Sequence, residues 1–87
     1  MEEIFSEEMI RVLREREAER SQEEIPVIVT IKPGSDLSKL EREGLRISRK
    51  FEVLNAVSGL IAPRDARRIA KLSQVEKIEY DSEMRAF

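Results

Sequence analysis

The sequence contains no cysteine and no histidine. The missing cysteine excludes disulfide bonds and thiol nucleophiles, and the missing histidine excludes histidine-ligated metal sites and a Ser-His-Asp triad. Carboxylates are abundant, but no pair of them is tied by its spacing to a pocket, so they are read as a charged surface. We therefore expect no enzyme, no cofactor and no metal site.

Long apolar runs and a strong excess of one charge are also missing. No stretch of about 18 apolar residues is present, and the acidic start M-E-E-I-F has no hydrophobic core of a signal peptide. With 16 basic and 18 acidic residues, the net charge of -2 leaves no polycationic surface for nucleic acid. We expect no membrane contact and, if Met1 is the native start, a cytoplasmic protein.

The 87 residues, 40% of them hydrophobic, are enough for one domain with a modest core. Residues 2–24 predict one amphipathic helix, with glutamates early and arginines late as the helix dipole favours, and a charged end that frays. Its apolar residues near helical spacing are Phe5, Met9, Val12 and Leu13, with Ile10 nearby. We interpret residues 1–24 as an N-terminal helical extension packed by one edge on the domain, with self-association through this helix as the alternative.

The strongest strand signal is the nearly continuous β-branched run from Ile25 to Lys32, which predicts a central strand. Pro33-Gly34 predicts a turn. Ser35 or Asp36 can then cap a short helix that ends at Gly44.

Two further strands and a helix follow. Residues 45–53 alternate, with Arg49 as the exception, so that one face carries Leu45, Ile47, Phe51 and Val53. After a turn at Asn55, residues 56–62 predict the next strand, in which Gly59 marks a bulge or a close backbone approach. Pro63 can open the second helix, and Val75 to about Tyr80 form the last strand.

The order β-α-β-β-α-β predicts an α+β fold of the ferredoxin-like type, an antiparallel sheet with two helices on one face, over residues 25–81. The other sheet face is then open. If Ile78 and Tyr80 point to the core, Glu79 and Asp81 point to the open face, with Lys77 beside them. These two carboxylates are either merely solvated or placed to meet the N-termini of helices in a partner.

Residues 82–87 form a polar tail that ends in an aromatic residue. From Ile25 onward, the chain resembles the prodomain of subtilisin-type serine proteases, the inhibitor I9 family. The resemblance rests on V-I-V-T-I-K as the first strand, on F-E-V-L-N-A-V-S-G-L-I-A as the central hairpin, and on the ending V-E-K-I-E-Y-D. The ending is its most specific part.

The resemblance implies an inhibitor and intramolecular chaperone of a subtilisin-like serine protease. The open sheet face would pack on two surface helices of the protease, and Glu79 and Asp81 would cap these helices. The C-terminal tail would lie product-like in the active-site cleft, through the residues Met84, Arg85, Ala86 and Phe87. A prodomain excised from a secreted precursor would be extracellular, and the helix at 2–24 is an addition that a minimal prodomain does not need.

Two other functions fit this fold class. RNA binding on the open face needs aromatic residues on the central strands, and only Phe51 lies on an inner hairpin strand. The alternative function is a small-molecule regulatory domain. Such domains usually have a glycine-rich loop between a strand and a helix, and Pro33-Gly34-Ser35 has only one glycine at that place.

Overall fold

The computed structural model of the chain describes residues 4–85, and the side chains of residues 4–83. The elements in chain order are α1 (Glu7–Ala18), β1 (Ile25–Ile31), α2 (Leu37–Arg42), β2 (Arg46–Phe51), β3 (Ala56–Ile61), α3 (Pro63–Ile69), β4 (Val75–Tyr80) and α4 (Ser82–Arg85). The predicted α+β class with an antiparallel sheet is confirmed. No helix within the described range is long and apolar enough to cross a membrane.

The four strands form one sheet in the order β2-β3-β1-β4, and every neighbouring pair is antiparallel. β1 is a central strand, as its β-branched run predicts, with Val29 opposite both Val57 of β3 and Ile78 of β4. Pro26 lies near the start of β1. The strand with the strongest sequence signal, β1, thus pairs with both β3 and β4.

The core lies between one sheet face and helices α1, α2 and α3. Alternate residues of β1 are buried, and the same cluster contains residues from all three helices. The helical residues buried in this cluster are Met9, Leu13, Leu40, Ala66 and Ile69. Full burial of an aliphatic side chain stabilises the fold by roughly 1.5–3 kcal/mol, so each of the three helices contributes to the core.

Helix α1 is shorter than the predicted helix over residues 2–24. Ser6 caps it by accepting a hydrogen bond from the Met9 amide at 3.2 Å, and it ends at Ala18, shortly before Arg20 takes a φ of 57°. Residues 19–24 contribute no side chain to the buried core, so nothing offsets the entropic cost of extending the helix there.

Residues 4–6 run along the outer edge of β4 instead of belonging to the helix. Phe5 pairs with Ile78 in a parallel bridge, the Ile78 amide donates to the Ile4 carbonyl at 2.8 Å, and the Ser6 amide donates to the Ile78 carbonyl at 3.1 Å. Backbone groups at an open sheet edge otherwise attract other strands. The segment before α1 therefore covers part of this edge.

The predicted alternation through residues 45–53 is wrong after Ile47. The register of β2 shifts between Ile47, opposite Gly59, and Arg49, opposite Ser58. The extra residue of this bulge reverses which residues point to each face, so Arg49 and Phe51 leave the side of the sheet that holds the core. Val53 is 94% exposed in the following turn.

Other local predictions are confirmed. Asp36 caps α2 by accepting from the Ser38 amide at 3.0 Å, and Pro63 occupies the first turn of α3. Asn55 has the positive φ, 51°, of a turn residue. Gly59 is a close approach of two backbones, since a Cβ there would overlap the carbonyl oxygen of Arg46.

Candidate protein-binding surface

The sheet face opposite helices α1–α3 is called the open face here. It is recognised from the strand register, because residues that alternate with the buried ones of β1 point away from the core. Its members are Pro26, Ile28 and Thr30 of β1, Ala56, Ser58 and Leu60 of β3, Arg46, Arg49 and Phe51 of β2, and Lys77 and Glu79 of β4.

Glu79 lies on this face, as predicted. It is opposite Ile28 of β1, while its neighbour Ile78 is fully buried on the core side and Tyr80 packs against the core. Glu79 Oε2 is 3.6 Å from Lys77 Nζ, and the two side chains are 41% and 50% exposed. An ion pair this exposed contributes between about 0 and 1 kcal/mol, so a partner can compete for the carboxylate.

Asp81 follows β4 and extends its pairing with β1 by one residue. Its amide donates to the Pro26 carbonyl at 2.9 Å, and its half-buried side chain lines a cleft on the open face. Glu79 and Asp81 are therefore on one side of the sheet, where the chain leaves it. The structure brings these two predicted site residues together.

The cleft on the open face has a volume of about 340 Å³ and is lined by Ile28, Ser48, Arg49, Phe51, Ser58, Asp81 and Glu83. The guanidinium of Arg49 lies over the Phe51 ring, with 5.9 Å between Cζ and the ring centroid. Contacts of this type stabilise by about 0.5–1 kcal/mol at exposed sites. The cleft thus combines an apolar floor with charges of both signs.

The tail begins at this cleft but is not extended. Residues 82–85 form the single turn α4, which packs against β1 and places the Glu83 side chain in the cleft lining. Met84 and Arg85 belong to α4 by their backbone, whereas Ala86 and Phe87 lie outside the described residues. Because one isolated helical turn is marginal in water, little free energy is needed to open it.

The loop around Pro33-Gly34-Ser35, which suggested a small-molecule site, has hydrogen-bond partners for its polar groups within the chain. Gly34 has a φ of 78°, the Ser35 amide and hydroxyl both donate to the Lys32 carbonyl, and Gln74 Nε2 donates to the Asp36 carbonyl at 3.0 Å. The described part of the chain holds no cluster of three or more acidic, His or Cys residues arranged for a metal ion. These contacts keep the loop in shape without a ligand.

Sequence reasoning did not assign Arg49, Ser48 and Phe51 to the candidate surface. The signal was present, because Arg49 interrupts an otherwise apolar face of the predicted strand. A charged residue at a position predicted to be buried is evidence for a bulge next to it. The predicted strand has Arg49 as an exception to the alternation, whereas the structure has a change of register.

Comparison of the chain with protein-family models, with curated proteins and with solved structures gave no match. The resemblance to subtilisin prodomains therefore stays a prediction, and a function is inferred below from the geometry of the open face and of residues 82–85.

Proposed function

We propose that the chain inhibits a subtilisin-like serine protease and assists its folding, using the open face and the C-terminal tail together. The observation that carries this proposal is the position of Glu79 and Asp81, side by side on the open face at the point where the chain leaves the sheet for the tail. We also propose that the fold is of the ferredoxin-like type, supported by the order β-α-β-β-α-β from β1 to β4.

The open face would pack against two surface helices of the protease. Helix N-termini carry amide groups without intrahelical partners and a partial positive charge, so carboxylates bind there favourably. Glu79 and Asp81 supply such carboxylates, and the half-buried Ile28 and Leu60 supply apolar contact on the central strands β1 and β3. The proposal is supported by the packing of helices α1, α2 and α3 on the opposite side of the sheet.

The tail would open from α4 and lie in the active-site cleft of the protease as a cleaved product does. An extended peptide adds backbone hydrogen bonds to the edge of the cleft, and its side chains fill alternating pockets. Phe87 would occupy the primary specificity pocket, with the small Ala86 next to it and Met84 in a further apolar pocket. Because α4 already begins at the end of β4, the tail needs no rearrangement of the sheet.

Folding assistance follows from the same contacts. A domain that binds the folded protease and not its unfolded chain stabilises the folded state by mass action. The sheet supports this role because its core, with Val29, Ile78 and Leu13 buried, is assembled within this chain. The inhibitor would thus present a formed surface to a protease that is still folding.

The decisive experiment measures inhibition of a purified subtilisin by the full chain and by a chain lacking residues 84–87. We expect the truncation to abolish most of the inhibition and to leave the circular dichroism spectrum largely unchanged, because the buried core cluster of the described residues runs from Met9 to Ile78. A chain with the last four residues in reversed order keeps length and composition and is the control; it should inhibit poorly. Equal inhibition by all three chains would contradict the tail mechanism.

A further inference from the structure

The open face carries opposite charges at its two sides. Two neighbouring rows across the sheet share one order, basic on β2, uncharged on β3 and β1, and acidic at β4. The rows are Arg49, Ser58, Ile28 and Glu79, and Arg46, Leu60, Pro26 and Asp81. Since adjacent strands are about 4.8 Å apart, each row spans about 14 Å.

The two arginines differ in their surroundings. Arg46 Nη2 binds Glu24 Oε1 at 2.5 Å, so a carboxylate of this chain already lies beside its charge. Arg49 is exposed, rests on the Phe51 ring, and makes no ion pair with another described residue. Arg49 is therefore the cation that the β2 side of the open face offers to a partner.

We infer that Arg49 binds the C-terminal end of a partner helix whose N-terminus lies at Glu79, so that the open face fixes the direction of that helix. The inference rests on the proposed function and concerns one of its two protease helices, the one that crosses the strands over the row from Glu79 to Arg49. A helix has a partial positive charge at its N-terminus and a partial negative charge at its C-terminus, so both ends meet an opposite charge. About nine residues of helix span the 14 Å row, over the uncharged pair Ser58 and Ile28.

Lys77 makes the inference testable, because it is a cation on the same face at the opposite side. It lies 3.6 Å from Glu79, where the positive end of the partner helix would be. Removing the charge of Lys77 frees Glu79 from its ion pair. It also removes the repulsion between Lys77 and the positive N-terminal end of the partner helix. A helix bound in the inferred direction thus predicts opposite effects for the two cations, whereas attraction to any acidic surface predicts the same effect for both.

The experiment compares inhibition of a purified subtilisin by the variants Arg49→Gln, Lys77→Gln and Arg11→Gln. Helix-end charges change affinity by about two- to fivefold at exposed sites, so we expect Arg49→Gln to weaken inhibition by up to about fivefold and Lys77→Gln to strengthen it about twofold. Arg11→Gln is the matched control, since Arg11 is exposed on α1, on the far side of the core. It should inhibit as the unchanged chain does.

Every outcome of this inhibition assay either supports or overturns the inferred direction of the helix. Weaker inhibition by both Arg49→Gln and Lys77→Gln would show recognition of an acidic surface and overturn the inferred direction. Inhibition by the unchanged chain with no effect of either variant would also overturn it, while leaving the proposed function standing. No inhibition by the unchanged chain would overturn both. Arg49→Lys keeps the charge and should retain inhibition, which separates the charge from any loss of folding.

Discussion

Arg67 of α3 holds both carboxylate oxygens of Glu17 in α1, with Nε 2.8 Å from Oε2 and Nη2 2.9 Å from Oε1. The same guanidinium lies 5.8 Å from the ring centroid of Phe5, which pairs with β4. One side chain on α3 thus contacts both α1 and the segment that covers the edge of the sheet. The N-terminal part of the chain is tied to the domain by polar contacts as well as by its buried residues.

The Arg67–Glu17 pair predicts an acid-dependent contribution to stability. The hydrogen bond from Arg67 lowers the pKa of Glu17, against a smaller opposing effect of burial. Because the folded pKa lies below the unfolded value, about 4.3, the contribution is complete above that value and is lost as the pH falls through the folded pKa. Since the pair is partly exposed, Glu17→Gln should cost at most about 1 kcal/mol near neutral pH.

Urea unfolding of both chains at neutral pH and in acid measures this contribution. The gap between Glu17→Gln and the unchanged chain should close in acid. The control Glu15→Gln changes an exposed glutamate of the same helix and should show no such gap. A gap for Glu17→Gln that stays constant with pH would contradict the ionic origin.

Leu13→Ala tests whether α1 belongs to the core. Leu13 is 1% exposed within the same cluster as Val29 and Ile78, and removing buried methyl groups costs about 2–5 kcal/mol. We expect a loss in that range by chemical denaturation, and a change within about 0.5 kcal/mol for the exposed neighbour Arg11→Ala. Similar small effects of both substitutions would make α1 a loosely attached extension.

Gly59→Ala tests the close contact of β3 with β2. A Cβ at Gly59 would overlap the carbonyl oxygen of Arg46, so the two strands would have to separate. Overpacking of this kind costs about 1–3 kcal/mol, and we expect a loss near the upper end in the free energy of unfolding. Gly34→Ala is the comparison, because the space around Gly34 is open and only its φ of 78° is unfavourable for alanine. It should cost about 1 kcal/mol.

Phe87→Asp tests the pocket-binding role of the tail. A charge placed in an apolar pocket loses its hydration without gaining a partner, so we expect inhibition of a purified subtilisin to weaken by a few kcal/mol. Phe87→Leu preserves an apolar side chain and should weaken inhibition far less. Equal inhibition constants for the two variants would remove Phe87 from the proposed binding site.

Replacing Glu79 and Asp81 together by alanine tests the proposed contact with helix N-termini. The loss of two capping carboxylates should weaken inhibition by about 1–2 kcal/mol, less than the loss of the tail. Glu76→Ala is the control, since Glu76 is an exposed glutamate of β4 beside Ile4 and Leu72 on the helix-bearing side. No effect of the double change would make the two carboxylates ordinary solvated residues.

Local structure was predictable where a residue type strongly prefers one backbone conformation. The β-branched run from Ile25 specifies a buried central strand, Pro63 opens a helix, and Asn55 takes the positive φ of a turn. These outcomes depend on backbone sterics and on hydrophobic alternation, both of which act within a few residues. The same alternation predicts that Glu79 and Lys77 lie on one face of β4 and the buried Ile78 on the other.

The candidate surface was predictable only in part, because register depends on contacts between distant segments. The pairing of β2 with β3 inserts a bulge after Ile47 and turns Arg49 and Phe51 to the open face. A shift of one residue reverses the faces of a strand, and the partner strand decides where the shift occurs. Arg49 marks an interruption in the local pattern, but only the pairing of β2 with β3 places the bulge and turns Arg49 to the open face.

The sequence by itself determined the order of elements from β1 to β4, the central position of β1 and the outward position of Glu79, because these follow from periodicity and from the special backbones of glycine and proline. The tertiary structure alone decided that residues 4–6 pair with β4, that α1 completes the core, and that residues 82–85 form a turn beside the open face. Each of these depends on apolar side chains or backbone groups far apart in the chain, whose partners no local pattern identifies.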